Sequence, residues 1–185
     1  MKMIGKLVTL LLNIVFLQYM MVEPFPLFIL QSLTYQGMLL LCVSSVVTYC
    51  FKESRFEAIL RSVSYSMAVF ISIISWILLI PVDEDGLWTI KNHFFHTLNT
   101  IYCIVCIYAT PQQWRKRDWK YPLLYGILYV LYNILQQNKG HSAIYPFLDF
   151  VNNYYLAWLI VGLSAVLIPS CHLGLCSSNS KLWRN

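Results

Sequence analysis

The sequence has few charged residues and few glycines, and each shortage excludes classes of protein. Only 11% of the 185 residues are charged, whereas 58% are hydrophobic. A soluble domain usually has about 25% charged and about 45–50% apolar residues. The composition therefore excludes a disordered chain, a coiled coil and an ordinary soluble enzyme. It is typical of a polytopic membrane protein, with one transmembrane helical domain over residues 1–185.

Several motifs that carry chemistry are also missing. All seven glycines are isolated, so the chain has no phosphate-binding loop and no dinucleotide fingerprint. It has no G-x-S-x-G nucleophile elbow, and its four histidines are too few for the di-iron site of a membrane desaturase. No basic run with interleaved aromatic residues is present. We therefore expect no cofactor and no nucleic-acid partner.

Two weaker patterns could bind a metal or carry redox chemistry. His93 and His96 together with the acidic run 83–85 could hold one metal ion, although three adjacent acids are more often a solvated loop. Cys103 and Cys106 form a C-x-x-C pair on an apolar helix face, where free cysteine behaves as a small hydrophobic residue. We predict neither a metal site nor a redox pair.

Six apolar stretches reach or approach the length of about 20 residues that crosses a bilayer as a helix. They cover residues 4–22, 28–51, 63–81, 92–110, 119–136 and 150–169. They lack the alternating pattern of a membrane barrel, so we predict an all-α bundle. Prolines lie at the ends of the stretches, which places the last helix end at residue 169 and a tail over 170–185. A signal peptide over residues 1–22 is the alternative to a first span, but no small-residue cleavage site follows it.

The distribution of basic residues predicts the orientation. With a cytosolic N-terminus, the inside segments carry eleven of the thirteen Lys and Arg residues, and the outside loops carry Lys91 and Lys139. Because cytosolic loops are enriched in these residues, both termini and the tail are expected to be cytosolic. The bias fits a multi-pass protein of the endoplasmic reticulum or plasma membrane. Cysteines near cytosolic helix ends are candidates for S-palmitoylation, namely Cys50, Cys171 and Cys176.

Polar residues within the spans concentrate near the outer leaflet. In this topology Thr34 lies about 9 Å and His96 about 6 Å below the outer edge, at 1.5 Å per residue. Intramembrane polar residues are functional candidates because burying them without a partner costs free energy. The same layer holds Gln31, Gln36, His93, Asn99, Thr100, Asn133, Asn152 and Asn153.

The densest polar cluster surrounds His96. Asn92, His93 and Asn99 lie three or four residues from it on a helix and therefore near its face. Two interpretations are open: a chemical site, or residues that cap a helix and form interhelical hydrogen bonds. Thr34 has a similar alternative, since a membrane threonine usually bonds the carbonyls of its own helix.

Three segments of the sequence resemble a known family. Residues 92–97 read N-H-F-F-H-T, Leu33-Thr34 lies early in the second span, and residues 145–148 read Y-P-F-L. Their order and spacing resemble the androgen-induced gene product family, which includes the androgen-dependent regulator of tissue factor pathway inhibitor. The likeness covers about residues 30–170. Ser32 departs from it, since the family tends to have an aromatic residue there. Residues 144–149 also resemble the rolling-stone family, which is the second assignment.

The first resemblance implies a multipass membrane hydrolase that cleaves fatty acid esters of hydroxy fatty acids. It places the nucleophile on Thr34 and the catalytic histidine on His96. In such a reaction the histidine takes the hydroxyl proton, an acyl-enzyme forms and water hydrolyses it. Candidate oxyanion donors or supporting residues are Asn92, His93, Asn99 and Asn152. The expected partners are membrane lipids and the lipid ester.

Two other classes of function remain open. One is a non-enzymatic membrane scaffold or regulator, as the rolling-stone resemblance implies, in which the polar layer only joins the helices. The other is a small transporter. No inverted repeat and no helix pair broken by glycine or proline favours transport, so the scaffold is the main alternative to the hydrolase.

Overall fold

The described part of the chain is a bundle of five helices without strands. The computed structural model describes residues 31–50, 54–79, 96–109 and 114–182. The helices are α1 Leu33–Cys50, α2 Arg55–Ile74, α3 Leu98–Ala109, α4 Lys120–Asn138 and α5 Tyr154–Leu182. A π-helical turn, Ser75–Leu79, continues α2, and 3₁₀ turns lie at Lys116–Trp119 and Pro146–Leu148. The predicted all-α class is confirmed for these residues.

Five of the six predicted spans correspond to α1–α5, while the first, 4–22, lies outside the described residues. By length and apolar composition, two helical stretches in the described ranges could cross a membrane, Arg55–Leu78 and Tyr154–Lys181. The apolar stretches Leu33–Thr48 and Leu98–Ile107 are shorter. The number of spans and the sidedness of the termini therefore stay predictions.

The predicted end of the last helix at residue 169 was wrong. α5 continues through Pro169 to Leu182, although proline removes one backbone hydrogen bond and crowds the preceding turn. Packing offsets this cost, because Cys171, His172 and Cys176 beyond the proline are buried against the bundle. The segment predicted as a tail is thus mostly helical, and burial of these two cysteines argues against their acylation.

The start of α2 also differs from the prediction, by eight residues. Ser54 caps the helix by accepting a hydrogen bond from Glu57 N at 3.1 Å. Glu57 and Arg61 are buried as an ion pair, and Arg61 Nη2 donates to Thr48 Oγ1 at 2.7 Å. The two charges offset each other, and the Arg61 side chain bonds Thr48 on α1. α2 can therefore begin within a segment that the sequence assigns to a loop.

α2 is the central helix, with the other four packed around it. One apolar cluster, which includes Met38, Tyr65 and Cys103, joins α1, α2 and α3. A second cluster, which includes Phe70 and Ile168, joins α2 to α5. Gly37 allows α1 to approach closely, since a Cβ there would lie 2.5 Å from Ile71 Cδ1. This arrangement buries α2 along most of its length.

The outer helices expose apolar residues instead. Large hydrophobic side chains lie on the surface at helical spacing on α1, α3, α4 and α5. They include Leu39, Val43, Val46, Ile101, Ile104, Leu124, Ile127, Leu128, Leu131, Leu135, Leu159, Leu163 and Val166. A monomeric soluble protein rarely exposes contiguous apolar surface of this extent.

Candidate functional site

Thr34 lies in the first turn of α1 and is buried. Its Oγ1 is 3.2 Å from the hydroxyl of Tyr145, and its backbone N–H donates to the same hydroxyl at 3.3 Å. Ser32 Oγ is 2.9 Å from that hydroxyl. Thr34 thus pairs with a residue 111 positions away in the sequence, not with a carbonyl of its own helix.

Tyr129 completes this group, and we call Ser32, Thr34, Tyr129 and Tyr145 the hydroxyl cluster. Leu33 N donates to the Tyr129 hydroxyl at 3.2 Å, and that hydroxyl donates to Gln31 O at 3.1 Å. The first N–H groups of a helix have no partner within the helix. The two tyrosines supply these partners from α4 and from the segment before α5, so they fix the N-terminal end of α1.

The proton of the Tyr145 hydroxyl has two possible acceptors. Because Thr34 N–H occupies one of its lone pairs, the hydroxyl can donate to Ser32 Oγ or to Thr34 Oγ1. When it donates to Ser32, Thr34 can donate its own proton to Tyr145. The Thr34 hydroxyl is therefore held in place whichever way the protons point.

His96 lies just before α3 and is buried, with an Nδ1 that has no hydrogen-bond partner within the described residues. Its neighbours attach this segment to α2. Trp76 Nε1 donates to Thr97 Oγ1 at 3.1 Å, and Thr100 Oγ1 donates to Ser72 Oγ at 2.8 Å. A buried nitrogen without a partner is costly in a folded chain, so it is a candidate for chemistry or ligand binding.

Thr34 and His96 lie at the same end of α2. Gly37 faces Ile71, so Thr34, one turn earlier on the antiparallel α1, lies near the level of residue 74. Thr97 bonds Trp76 and places His96 near the same level. No hydrogen bond joins Thr34 to His96 among the described residues. The structure therefore places the two in one layer but does not pair them, and their catalytic roles stay predictions.

Of the other predicted site residues, the structure describes Asn99 and Asn152. Asn92 and His93 lie outside the described residues, as does the acidic run 83–85. Asn99 is fully buried, three residues after His96. Asn152 is exposed, and its backbone and side-chain N–H groups bind Asp149 at 2.8 and 2.9 Å. These bonds lower the pKa of Asp149 and argue against Asn152 as an oxyanion donor, since a surface turn holds it.

An apolar cavity of about 200 Å³ adjoins the hydroxyl cluster. Residues of α2, α4 and α5 line it, and the segment Tyr145–Leu148 closes one side. Leu33, Tyr129 and Tyr145 belong to its wall. Tyr129 and Tyr145 therefore belong both to the cavity wall and to the hydroxyl cluster that contains Thr34. Sequence reasoning assigned no role to Tyr129 or Ser32, and the only signal for Tyr145 was its place in Y-P-F-L.

A second polar cluster, around His172, lies near the other end of α2. His172 is fully buried; its Nε2 is 3.0 Å from Arg115 O, and its Nδ1 is 3.0 Å from Ser62 Oγ. Because a carbonyl only accepts, Nε2 carries the proton and Nδ1 accepts from Ser62. A serine with an oriented histidine resembles a nucleophile pair, but Ser62 is fully buried, and neither Ser62 nor its partner His172 lines the cavity, whereas Tyr145, the partner of Thr34, does. The arrangement fastens α5 to α2.

An ion pair holds the segment before α4 near this cluster. Arg55 Nη1 donates to Asp118 Oδ2 at 2.9 Å, and Arg115 N donates to the same oxygen at 3.0 Å. Burial raises the pKa of Asp118, but these hydrogen bonds outweigh it, so the pKa lies below its usual value. The ion pair connects the start of α2 to the turn before α4.

Cys103 and Cys106 are buried in the apolar cluster of α1, α2 and α3. Within the described ranges no three His, Cys, Asp or Glu residues come together as a metal site.

Compared with known proteins, the chain matches no family model, no curated protein and no solved structure. The family resemblance therefore rests on the three motifs alone.

Proposed function

We propose that this protein is a membrane-embedded lipid hydrolase that cleaves fatty acid esters of hydroxy fatty acids, with Thr34 as nucleophile and His96 as base. The observation that carries the proposal is the buried Thr34 hydroxyl, held by Tyr145 beside an apolar cavity of about 200 Å³. Leu33 and Tyr145, the neighbour and the partner of Thr34, line that cavity, whereas Thr34 itself does not. An apolar cavity next to a hydroxyl group suits an ester flanked by hydrocarbon chains. The N-H-F-F-H-T motif adds His96 by resemblance.

The proposed reaction has two steps. Thr34 Oγ1 attacks the ester carbonyl while His96 takes its proton, and the histidine then protonates the departing hydroxyl of the hydroxy fatty acid. Water next attacks the threonine ester, with His96 as base, and releases the fatty acid. His96 Nδ1 has no partner in the described residues, which leaves it available for the proton. The step requires His96 to approach Thr34 when substrate binds, and such contacts often tighten only then.

A membrane location is part of the same proposal. The supporting observations are the two helices long enough to span a bilayer and the apolar outer faces of α1, α3, α4 and α5. From the distribution of basic residues we further propose that both termini are cytosolic and that the chain has six spans in all, in the endoplasmic reticulum or the plasma membrane. In that orientation the hydroxyl cluster lies near the outer or lumenal leaflet.

The second candidate is a non-enzymatic scaffold. Its support is that every hydrogen bond of Thr34 in the hydroxyl cluster also fixes the start of α1. A hydrogen bond between α1 and α2 also supports this alternative, since Ser64 Oγ donates to Ser44 Oγ at 3.1 Å. In a scaffold these contacts only join helices.

The test compares Thr34→Val with Thr34→Ser in membranes at matched expression. Valine keeps the shape and removes the hydroxyl, whereas serine keeps a nucleophile. Hydrolysis of a palmitic acid ester of hydroxystearic acid is the assay, and His96→Ala is the second inactive variant. Ser170→Ala is the control, since Ser170 Oγ bonds only the carbonyl of Val166 in its own helix and is exposed.

We expect activity in wild type, Thr34→Ser and Ser170→Ala, and a loss of at least about 10³-fold in Thr34→Val and His96→Ala. A folded Thr34→Val protein with wild-type activity would exclude Thr34 as the nucleophile. A folded but inactive wild-type protein would leave the scaffold as the better explanation.

A further inference from the structure

The cavity is large enough for part of a hydrocarbon chain. Its volume of about 200 Å³ exceeds that of an engineered cavity of about 150 Å³ that stays dry and binds benzene. The lining side chains are almost all apolar and come from three helices, for example Phe70 from α2, Val130 from α4 and Val161 from α5. A charged or strongly polar ligand would lose its hydration here without compensation.

The cavity lies directly behind the outer surface of the bundle. Ile127, Leu131 and Trp158 line it, yet these side chains are 48%, 51% and 55% exposed. These residues belong to α4 and α5. Between the two helices, side chains alone therefore separate the cavity from the surroundings of the protein. In the proposed membrane location those surroundings are lipid chains, which gives a hydrocarbon ligand a sideways entrance.

One part of the wall is polar. Tyr129 and Tyr145 line the cavity, and their hydroxyls belong to the hydroxyl cluster. The hydroxyl of Tyr145 is 3.2 Å from Thr34 Oγ1. Ser164 also lines the cavity, but its Oγ donates to Ile160 O at 2.7 Å, within its own helix. The two tyrosines therefore offer hydrogen-bond partners to an oxygen-bearing end of a ligand, and Ser75 is the other hydroxyl residue in the described lining.

We propose that this cavity binds one hydrocarbon chain of a lipid, which enters between α4 and α5 and places its ester group beside Tyr145. The chain site does not depend on hydrolysis, but the entrance from lipid rests on the proposed membrane location and the position of the ester rests on the proposed hydrolase. The cavity then determines which chain is accepted, because additional methylenes need space that Phe70, Val130 and Val161 limit.

The test uses two filling variants, one control variant and two measurements. Val161→Phe fills the cavity from α5, and Ala165→Phe, also in the lining, is the second filling variant. Leu163→Phe is the matched control, because Leu163 is 55% exposed on the same helix and does not line the cavity. Near-ultraviolet circular dichroism and size exclusion verify the fold of each.

The first measurement is binding without turnover. A palmitoyl ester with a diazirine in mid-chain is photolysed with Thr34→Val protein in phosphatidylcholine nanodiscs, where phospholipid chains compete in excess. We expect labelled peptides from α4 and α5, and each filling substitution should reduce the labelling about tenfold, since forcing a chain into an overpacked site has a steric cost of that order. Leu163→Phe should label as the parent protein does. Labelling that stays unchanged in both folded filling variants would overturn the proposal.

The second measurement separates this proposal from the hydrolase. The filling variants are assayed on esters with short and long acyl chains. We expect kcat/KM to fall about tenfold for the long chain and to stay near wild type for the short one. If labelling behaves as expected and no ester is cleaved, the chain site stands and the hydrolase fails. If esters are cleaved with unchanged chain preference, the hydrolase stands and the chain site fails.

Discussion

Tyr145→Phe removes one oxygen atom from the hydroxyl cluster and keeps the aromatic ring. That ring stacks on Phe147 with centroids 5.2 Å apart and forms part of the cavity wall, so packing is largely preserved. The substitution deletes the acceptor of Thr34 N–H and the partner of Thr34 Oγ1 and Ser32 Oγ. Thr34 then keeps its hydroxyl but loses the group that orients it.

The expected cost to folding is moderate. A buried N–H left without a partner costs about 1–3 kcal/mol, so the free energy of unfolding should fall by about that amount. In the proposed hydrolase kcat should also fall, by about 10- to 100-fold, because a misplaced nucleophile loses rate steeply with distance. KM should change less than kcat, since the ring in the cavity wall remains.

Tyr129→Phe is the matched control. Its hydroxyl accepts from Leu33 N and donates to Gln31 O, whereas Thr34 bonds Tyr145. Both variants should lower stability similarly in denaturant unfolding in detergent, but only Tyr145→Phe should lower kcat. Equal kcat for the two folded variants would refute the argument that Tyr145 orients Thr34. Unchanged stability in both would refute the capping argument.

Two further predictions concern the opposite end of the bundle. Asp118→Asn breaks the pair with Arg55 and should lower the free energy of unfolding by about 1–2 kcal/mol at neutral pH. Because the folded-state pKa of Asp118 is lowered, its contribution is complete above the unfolded value of about 3.9 and is lost as the pH falls below it. Unfolding midpoints measured from pH 7 to pH 3 should therefore converge for wild type and Asp118→Asn, and a constant difference would contradict this. The second substitution, His172→Ala, leaves Ser62 and the Arg115 carbonyl without their partner. We expect a loss of roughly 2 kcal/mol of local stability. Amide hydrogen exchange over residues 170–182 should therefore accelerate by at least about tenfold. Exchange that accelerates equally along all of α5 would argue against a local fastening by His172.

The positions of the helices followed from the apolar pattern, but their ends did not. The runs around residues 28–51 and 119–136 correspond closely to α1 and α4 because a continuous apolar stretch has few alternatives in lipid. Pro169 misled the prediction of where the last helix ends. The local cost of the proline is offset by the burial of His172, which bonds Ser62 and Ser66, more than 100 positions away in the sequence. Arg61 was misleading in the same way, since its partner Glu57 becomes visible only once a helix is assumed.

The site was predictable in part for a related reason. The depth of Thr34 and His96 follows from counting residues along a helix, so both fall in one layer. The partner of Thr34 is set by how the segment before α5 folds back onto α1, and neither periodicity nor spacing encodes that contact. Asn152 has the right depth by counting, but it lies in a surface turn where Asp149 binds it.

The serines of α2 bear on the order in which the bundle is made. In the proposed membrane-embedded protein, Ser64 finds Ser44 on the preceding helix as soon as the α1–α2 hairpin inserts. Ser62 and Ser66 instead bond His172, which the ribosome adds 110 and 106 residues later. Until then these two hydroxyls of the central helix have only their own backbone as a partner. In the proposed membrane-embedded protein, α2 therefore gains these two hydrogen bonds only once α5 is complete, so the central helix is the last to have its polar groups satisfied.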